Sequence, residues 1–297
     1  MTTDIPSAIP ARIPTPEPGD PRLARLALNQ RTTANWSLPE AVRGCAEAGI
    51  GAIGVWREPL AETGLAQAAR MIADAGLRVS SLCRGGFFTT GSALDDNIAA
   101  LDEAAALSCP TLVLVPGGLP EGSRDLHGAR QRVAEAIAEL VPHAQARGVR
   151  LGIEPMHPIF AADRGVISTL AQALDLAEAH PPEAVGVVVD TFHLWWEPGV
   201  LDQIARAGPR IAAYQVSDWI TPLPPDALLS RGVVGDGHID FAAFTRAVTA
   251  AGYRGDVEVE IFNAEVWAAP GARVLATCAR RHAELLAPHL PREGPST

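Results

Sequence analysis

The stretch AVGVVVD at residues 184–190 is a short apolar run that ends in a single acid. It is one of eight β-branched or apolar runs that predict strands, and amphipathic helical stretches separate them. The other predicted strands lie at 24–29, 51–56, 77–83, 111–115, 149–154, 210–217 and 256–261. The predicted helices lie at 37–48, 63–75, 92–107, 124–147, 168–180, 199–207, 240–251 and 271–286.

Helix start and stop signals support these boundaries. Ser37 and Glu40 have the spacing of a capping box, and Ser168 and Asp240 are predicted N-caps. Glycine is predicted at the C-terminal ends of four helices, at Gly49, Gly76, Gly148 and Gly252. Each helix–glycine–strand junction is typical of the return of a βαβ unit.

Strict alternation of strands and helices implies a parallel sheet with right-handed crossovers. Eight such units predict the α/β fold class, as a single (β/α)8 TIM barrel. The alternative is an open doubly wound sheet, which favours a glycine-rich turn after its first strand. Residues 29–35, NQRTTAN, follow the first strand and contain no glycine. The closed barrel is therefore the preferred architecture.

The predicted catalytic barrel covers residues 22–287 as one domain. Residues 1–21 are rich in proline and predict a disordered or loosely packed arm, without the apolar segment of a secretory signal. Residues 288–297 predict a flexible tail.

Composition excludes several classes of function. The 297 residues carry a net charge of -10, which argues against a nucleic-acid partner. We expect no membrane association, because the sequence has no apolar run long enough to span a bilayer. Four scattered cysteines predict reduced thiols and hence a cytoplasmic protein. All 24 basic residues are arginine, so a Schiff-base lysine and a phosphate-loop lysine are both excluded.

Polar side chains stand where successive predicted strands end. Glu154, Asp190 and Glu260 end the fifth, sixth and eighth strands, and Gln215 lies on the seventh. The carboxyl ends of the strands form the active-site face of such a barrel. Three carboxylates gathered there would repel one another, and a divalent metal resolves that repulsion. Oxygen ligands favour Mn2+, Mg2+ or Co2+ over a structural zinc site.

Other residues are candidates for substrate binding. His193 follows Asp190 by three positions and suits a substrate contact, a metal ligand or loop packing; we favour the substrate contact. We expect one of Trp195 and Trp196 to stack on a sugar and the other to pack under the loop. His157 could line the pocket or pack within its loop. Arg84, before two glycines, could bind an anionic or hydroxyl group.

The chain resembles the sugar phosphate isomerase/epimerase superfamily, the xylose isomerase-like barrels, over roughly residues 23–287. The resemblance rests on motifs in the expected order at the strand ends. They are GIEPMHP at 152–158, VVVDTFHLWW at 187–196, YQVSDW at 214–219, GVVGDGHIDF at 232–241 and VEVEIF at 257–262.

The resemblance implies specific roles for the residues at these positions. It places the metal on Glu154, Asp190, Gln215 and Glu260. This set of oxygen ligands favours Mn2+. Glu154 and Glu260 would be the two acid/base groups. His193 matches a substrate-contacting histidine of the ketose 3-epimerases, and Arg231 resembles an arginine that contacts substrate oxygens. The chain departs from the pattern at Gln215, where many members have a histidine ligand.

The expected function is a metal-dependent isomerase or epimerase of a sugar, keto-sugar or polyol. The expected reaction removes a proton next to a carbonyl and passes through a metal-stabilised enediolate. A lyase or dehydratase of a 3-oxo sugar, including C-glycoside cleavage, shares this first step and is the main alternative. A non-catalytic sugar-binding barrel is a second alternative. The expected partner is a small carbohydrate, and the chain could form a homo-oligomer.

Overall fold

The computed structural model describes residues 12–91 and 93–291. Eight parallel strands close into a barrel in the spatial order β1-β10-β7-β6-β5-β4-β3-β2. This confirms the predicted (β/α)8 barrel. The barrel strands are β1 (Leu26–Asn29), β2 (Ala52–Trp56), β3 (Arg78–Gly86), β4 (Thr111–Val115), β5 (Arg150–Ile153), β6 (Val185–Asp190), β7 (Ile211–Val216) and β10 (Val257–Val259).

Helices surround the barrel between its strands. They are α1 (Leu38–Glu47), α2 (Arg57–Thr63), α3 (Leu65–Asp74), α4 (Leu94–Ala106), α5 (Leu126–Arg147), α6 (Leu170–Ala177), α7 (Thr191–Leu194), α8 (Val200–Ala207), α9 (Phe241–Ala250), α10 (Ala264–Ala268) and α11 (Gly271–Arg281). A turn of π-helix over His282–Leu286 continues α11.

The structure adds detail that the helical pattern did not predict. Gly64 has a φ of 85° and divides the second helical region into α2 and α3. The cap of α6 is Thr169, whose side chain accepts a hydrogen bond from the Gln172 N–H, and not the predicted Ser168. Two short strands, β8 (Asp218–Trp219) and β9 (Arg231–Gly232), pair as an antiparallel hairpin above the barrel.

Four glycines end helices as the sequence predicted. Gly49, Gly76, Gly148 and Gly252 all have φ between 64° and 95°. A residue with a Cβ adopts this left-handed backbone at a cost, so glycine suits the sharp return from helix to strand.

The main core packs between the barrel strands and the surrounding helices. Inside the barrel, a buried polar layer forms around Glu258, whose carboxylate accepts hydrogen bonds from four side chains. The donors are Asn29, Ser80, Ser81 and Gln215, at 2.6 to 3.0 Å. Gly54 makes room for this carboxylate, because a Cβ at position 54 would lie 2.6 Å from it.

The ends of the chain fall partly outside the described residues. Residues 1–11 of the predicted arm and residues 292–297 of the predicted tail are not described. Residues 15–18 lie beside α1 and α11, where they line a groove. The division into arm, barrel and tail therefore stays a prediction. No helix within 12–91 and 93–291 combines the length and apolar character needed to cross a bilayer.

Candidate active site

A cavity of about 480 Å³ opens at the carboxyl ends of the barrel strands. Glu154 directly follows β5 and Glu260 directly follows β10, and both line this cavity together with His193 and Arg231. The strand ends deliver them because parallel strands all point their carboxyl ends to one face of the barrel. Asp190, the last residue of β6, is fully buried beside them.

Arg231 connects these groups. Its Nη1 donates a hydrogen bond to Asp190 Oδ2 at 2.8 Å and lies 3.1 Å from Glu260 Oε2. The same nitrogen contacts Ser217 Oγ at 3.2 Å, and Nη2 lies 3.0 Å from His193 Nε2. The guanidinium is 2% exposed, so its charge acts on these carboxylates with little screening by water.

The β8–β9 hairpin carries Arg231 into the site. Asp218, the first residue of β8, accepts hydrogen bonds from the backbone N–H groups of Gly235, Gly237 and Ile239 at 2.8 to 3.1 Å. Asn263 donates to the carbonyl of Arg231 at 3.0 Å. These hydrogen bonds hold the backbone at Arg231 and in the loop that follows it, and so set where the guanidinium lies.

Burial and mutual repulsion shift the titration of the acids. Burial is the main cause that raises the pKa of Glu154 well above its usual value, and Glu260 and Asp190 raise it further. Burial also raises the pKa of Glu260 to about 8, against the opposing effect of Arg231. Asp190 likewise has a raised pKa because it is buried, although Arg231 stabilises its charged form. Such a site favours binding of a cation.

Two hydrogen-bond donors face the neutral ring of His193. Its pKa is well below the usual value because the ring is buried, and Arg231 disfavours a second positive charge. The His157 backbone nitrogen lies 3.1 Å from Nδ1, and Nη2 of Arg231 lies 3.0 Å from Nε2. A neutral imidazole has one acceptor nitrogen, so the ring accepts from one of these two donors at a time. Nε2 also lies 4.0 Å from Glu154 Oε1 and 3.8 Å from Asp190 Oδ2.

Three side chains of the site lie close enough to share a divalent metal, and Glu260 belongs to a second group with Cys83 and Glu258. Glu154, Asp190 and His193 each offer an atom, and these atoms all lie within 4.8 Å of one another. Gln215 is fully buried, its Nε2 is bound to Glu258, and its Oε1 has no hydrogen-bond partner among the described residues. An unsatisfied buried carbonyl oxygen is costly unless a ligand completes it. The cluster could therefore hold a cation through oxygen atoms.

The predicted site residues occupy different positions relative to the cavity. Those on its wall are Glu154, Glu260, His193, Arg231 and Arg84. Asp190 and Gln215 lie buried behind that part of the wall. Trp195 packs on Trp219 and His238, with ring centroids 5.7 and 6.5 Å apart, outside the cavity lining.

The two other aromatic candidates support His193 from behind. His157 stacks on Trp219 with ring centroids 4.8 Å apart. Trp196 packs edge-on against His157 and donates from its indole nitrogen to the His193 carbonyl at 2.8 Å. The aromatic faces on the cavity wall come instead from Trp56, Phe87 and Phe262.

Sequence reasoning missed Arg31 and Glu258. Arg31 lies in the turn after β1 and joins the cavity wall only because the barrel closes. Glu258 could have been found, since it stands two residues before Glu260 and alternate residues of a strand share one face.

Comparison with known proteins identifies the relatives of this arrangement. Residues 42–278 match the family model described as the xylose isomerase-like TIM barrel. The chain belongs to this family. The match begins within α1 and ends within α11, so it includes every barrel strand except β1.

Curated relatives in the family are named as enzymes. The chain is 32% identical over 154 residues to a 3-dehydroshikimate dehydratase of Pseudomonas putida, covering 49% of the chain and 23% of that protein. It is 29% identical over 136 residues to an L-ribulose 3-epimerase of Mesorhizobium japonicum, covering 46% of the chain and 41% of that protein. The chain thus spans less than half the length of these two relatives.

A solved structure resembles the whole barrel. The crystal structure of a protein from Sinorhizobium meliloti 1021 is 45% identical to the chain, with a TM-score of 0.86. The likeness covers 89% of this chain and 98% of that one. The two chains therefore share the same barrel fold.

Proposed function

We propose that the protein is a divalent-metal-dependent isomerase or epimerase of a sugar, keto-sugar or polyol. One observation carries the proposal: two buried glutamates, Glu154 and Glu260, line a single cavity beside Arg231 and His193. Paired carboxylates in such a cavity suit general acid and base chemistry on a substrate. The names of epimerases among the relatives support the same reading.

The proposed metal ligands are Glu154, Asp190, Gln215 and Glu260. All four offer oxygen, which favours Mn2+, with Mg2+ and Co2+ as further candidates. A cation bound there supplies Lewis-acid polarisation of a substrate carbonyl. The orphaned Oε1 of Gln215 supports its inclusion in this set.

The remaining residues orient the substrate and move its proton. One of Glu154 and Glu260 takes a proton from the carbon next to the carbonyl, and the other can return one from the opposite side. Arg231 Nη2 lies 3.0 Å from His193 Nε2 on the cavity wall, where the guanidinium can also donate to a substrate oxygen. We expect His157 and Trp196 to act by holding His193 in place.

A lyase or dehydratase is the second candidate. The similarity to a 3-dehydroshikimate dehydratase favours it, and the first proton transfer would be the same. Loss of a β-substituent after that step, in place of proton return, would give an elimination. A non-catalytic sugar-binding barrel would bind the same substrate without exchanging its proton.

Exchange of substrate protons with solvent tests the shared step. In D2O with Mn2+ and a panel of ketoses and 3-oxo sugars, we expect NMR to show deuterium entering next to the carbonyl. Glu154→Gln should slow this exchange at least about 100-fold, since it removes one acid/base group. Glu139→Gln, at an exposed position of α5, is the matched control and should behave as wild type.

Two results would count against the assignment. Full exchange by a Glu154→Gln protein that retains metal, measured by elemental analysis, would contradict the acid/base role. If the wild-type protein exchanges no substrate of the panel, proton abstraction itself is the wrong reading.

A further inference from the structure

Two arginines that the proposed chemistry does not use lie side by side on the cavity wall. Arg31 is in the turn after β1, and Arg84 is in β3. Both line the same cavity as Glu154 and Glu260, and each side chain is 32% exposed. They are thus open to a ligand while largely shielded from bulk water.

Aromatic rings hold both guanidinium groups. The Cζ of Arg31 lies 4.6 Å from the ring centroid of Trp56, and the Cζ of Arg84 lies 5.6 Å from the same ring. Arg84 also lies 4.4 Å from the centroid of Phe87. Stacking on an aromatic face orients a guanidinium and leaves its N–H edges available for hydrogen bonds.

Among the described residues, the pair has one carboxylate within 4 Å for its two positive charges. Both arginines share Glu58, at 3.4 and 3.8 Å, and that side chain is 55% exposed. Burial lowers the pKa of Arg84; Glu58 opposes this shift, and the nearby charge of Arg31 adds to it.

Each of the other two arginines of the cavity wall has two carboxylate partners of its own. Arg231 contacts Asp190 and Glu260, and Arg164 contacts Asp163 and Asp226 at 3.2 and 3.3 Å. Of the four arginines on the wall, therefore, Arg31 and Arg84 are the two whose combined charge exceeds that of their acidic partners.

We propose that Arg31 and Arg84 form a subsite for an anionic group of the substrate, a carboxylate or a phosphate. Planar guanidinium groups bind either oxyanion through paired hydrogen bonds. The inference rests on the proposed function, because it assumes that the reacting end of the substrate lies at Glu154 and Glu260. It narrows the substrate to a sugar acid, a cyclic polyol acid or a sugar phosphate, and it makes a neutral sugar the poorer ligand.

Matched ligands without an aldehyde or ketone group test the subsite separately from catalysis. Sorbitol, gluconate and sorbitol 6-phosphate share one carbon chain, and quinate can be compared with its neutral methyl ester. Calorimetric titration of the Mn2+-loaded protein should show an anion of a set binding at least about tenfold tighter than its neutral partner. The Arg31→Gln/Arg84→Gln double variant should lose that advantage, whereas Arg70→Gln, exposed on α3, should keep it.

The outcomes separate the possibilities. An advantage of the carboxylates alone or of the phosphate alone identifies the group that the subsite takes. An anion advantage that survives in the double variant would overturn the proposal, as would equal binding of anions and neutral partners or no binding of any anion. None of these ligands has an aldehyde or ketone that would let the protein exchange an adjacent proton. A negative titration result therefore does not bear on the exchange experiment, and a negative exchange result leaves the titrations interpretable.

Repeating the titrations without metal removes one further explanation. If the anion advantage disappears with the metal and is unchanged in the double variant, the anion binds the metal and the arginine subsite is wrong. If it depends on the two arginines in both conditions, the subsite is confirmed.

Discussion

At the scale of single residues, Gln215 is the position where this chain departs most clearly from the pattern of its superfamily. Glu258 Oε1 accepts from Gln215 Nε2 at 3.0 Å, which distinguishes the two ends of the amide. The carbonyl oxygen is thereby presented as the free end. A glutamine held in this way can replace a histidine as a neutral metal ligand.

Replacing Gln215 should weaken metal binding. We expect Gln215→Leu to lower the affinity for Mn2+ at least about tenfold, because it removes an oxygen ligand and leaves Glu258 without one donor. Competition with a chelating dye measures this directly. Gln145→Leu, exposed at the end of α5, is the control, and equal affinities of the two variants would remove Gln215 from the ligand set.

At the scale of elements, the β8–β9 hairpin brings an arginine to the site from outside the barrel strands. It extends over the open end of the barrel and places Arg231 between Asp190 and Glu260. Asp218 organises the loop that follows β9 by accepting from three of its backbone N–H groups. Burial raises the pKa of Asp218, whereas these hydrogen bonds stabilise its charged form.

Neutralising Asp218 should therefore destabilise the protein. Asp218→Asn replaces an acceptor of several backbone hydrogen bonds with an amide, and we expect a loss of about 3 kcal/mol in the free energy of unfolding. Urea denaturation at neutral pH checks this value. Asp226→Asn, an exposed helix cap, should cost less than about 1 kcal/mol. Similar losses in the two variants would contradict the role given to Asp218.

The elements of the barrel were largely predictable, and the hairpin was not. Residues such as Gly49 and Gly148 mark helix ends by local chemistry, and runs such as TLVLV mark strands by composition. The strands β8 and β9 have two residues each, too few for any periodicity to show. The role of Asp218 was not predictable, because its three backbone partners lie 17 to 21 residues further along the chain.

At the scale of the whole molecule, the chain buries a histidine directly after its last α-helix. His282 begins the π-helical turn after α11 and is fully buried. Burial lowers its pKa to about 4 from its usual value of 6.5, and the charge of Arg25 acts in the same direction, against a hydrogen bond with the Arg22 backbone. The unfolded chain thus binds this proton more readily than the folded one.

The stabilising contribution of His282 should consequently fall as the pH drops from 6.5 towards 4. It is fully present above pH 6.5, and we expect about 2 kcal/mol of it to be lost by pH 5. The raised pKa of Glu260 acts in the opposite direction, because there the folded chain binds the proton more readily, so wild type and variant must be compared at each pH. In urea denaturation at pH 7 and pH 5, His282→Gln should gain about 2 kcal/mol relative to wild type on acidification, and His127→Gln, exposed on α5, should not. A His282→Gln protein with the pH dependence of wild type would show that His282 does not titrate in this way.

The site was predictable in part, for reasons that also belong to the whole molecule. Glu154, Asp190 and Glu260 could be brought together from sequence because a barrel sends every strand end to one face. Trp195 could not be placed, because a tryptophan in a loop suits a sugar face and a packed neighbour equally well. The pairing of Arg31 with Arg84 depends on β1, β2 and β3 being adjacent in the closed barrel, with Trp56 between them.

The fit of Gly54 against Glu258 has a consequence for the relatives of this chain. A side chain at position 54 and a carboxylate at position 258 would occupy the same space inside the barrel. Homologous sequences should therefore show covariation at these two positions, with a larger residue at the first accompanying a shorter or apolar one at the second. Relatives that lack the carboxylate at position 258 also lose the acceptor of the Gln215 amide. We expect them to bind that amide through another side chain or to have a different residue at position 215.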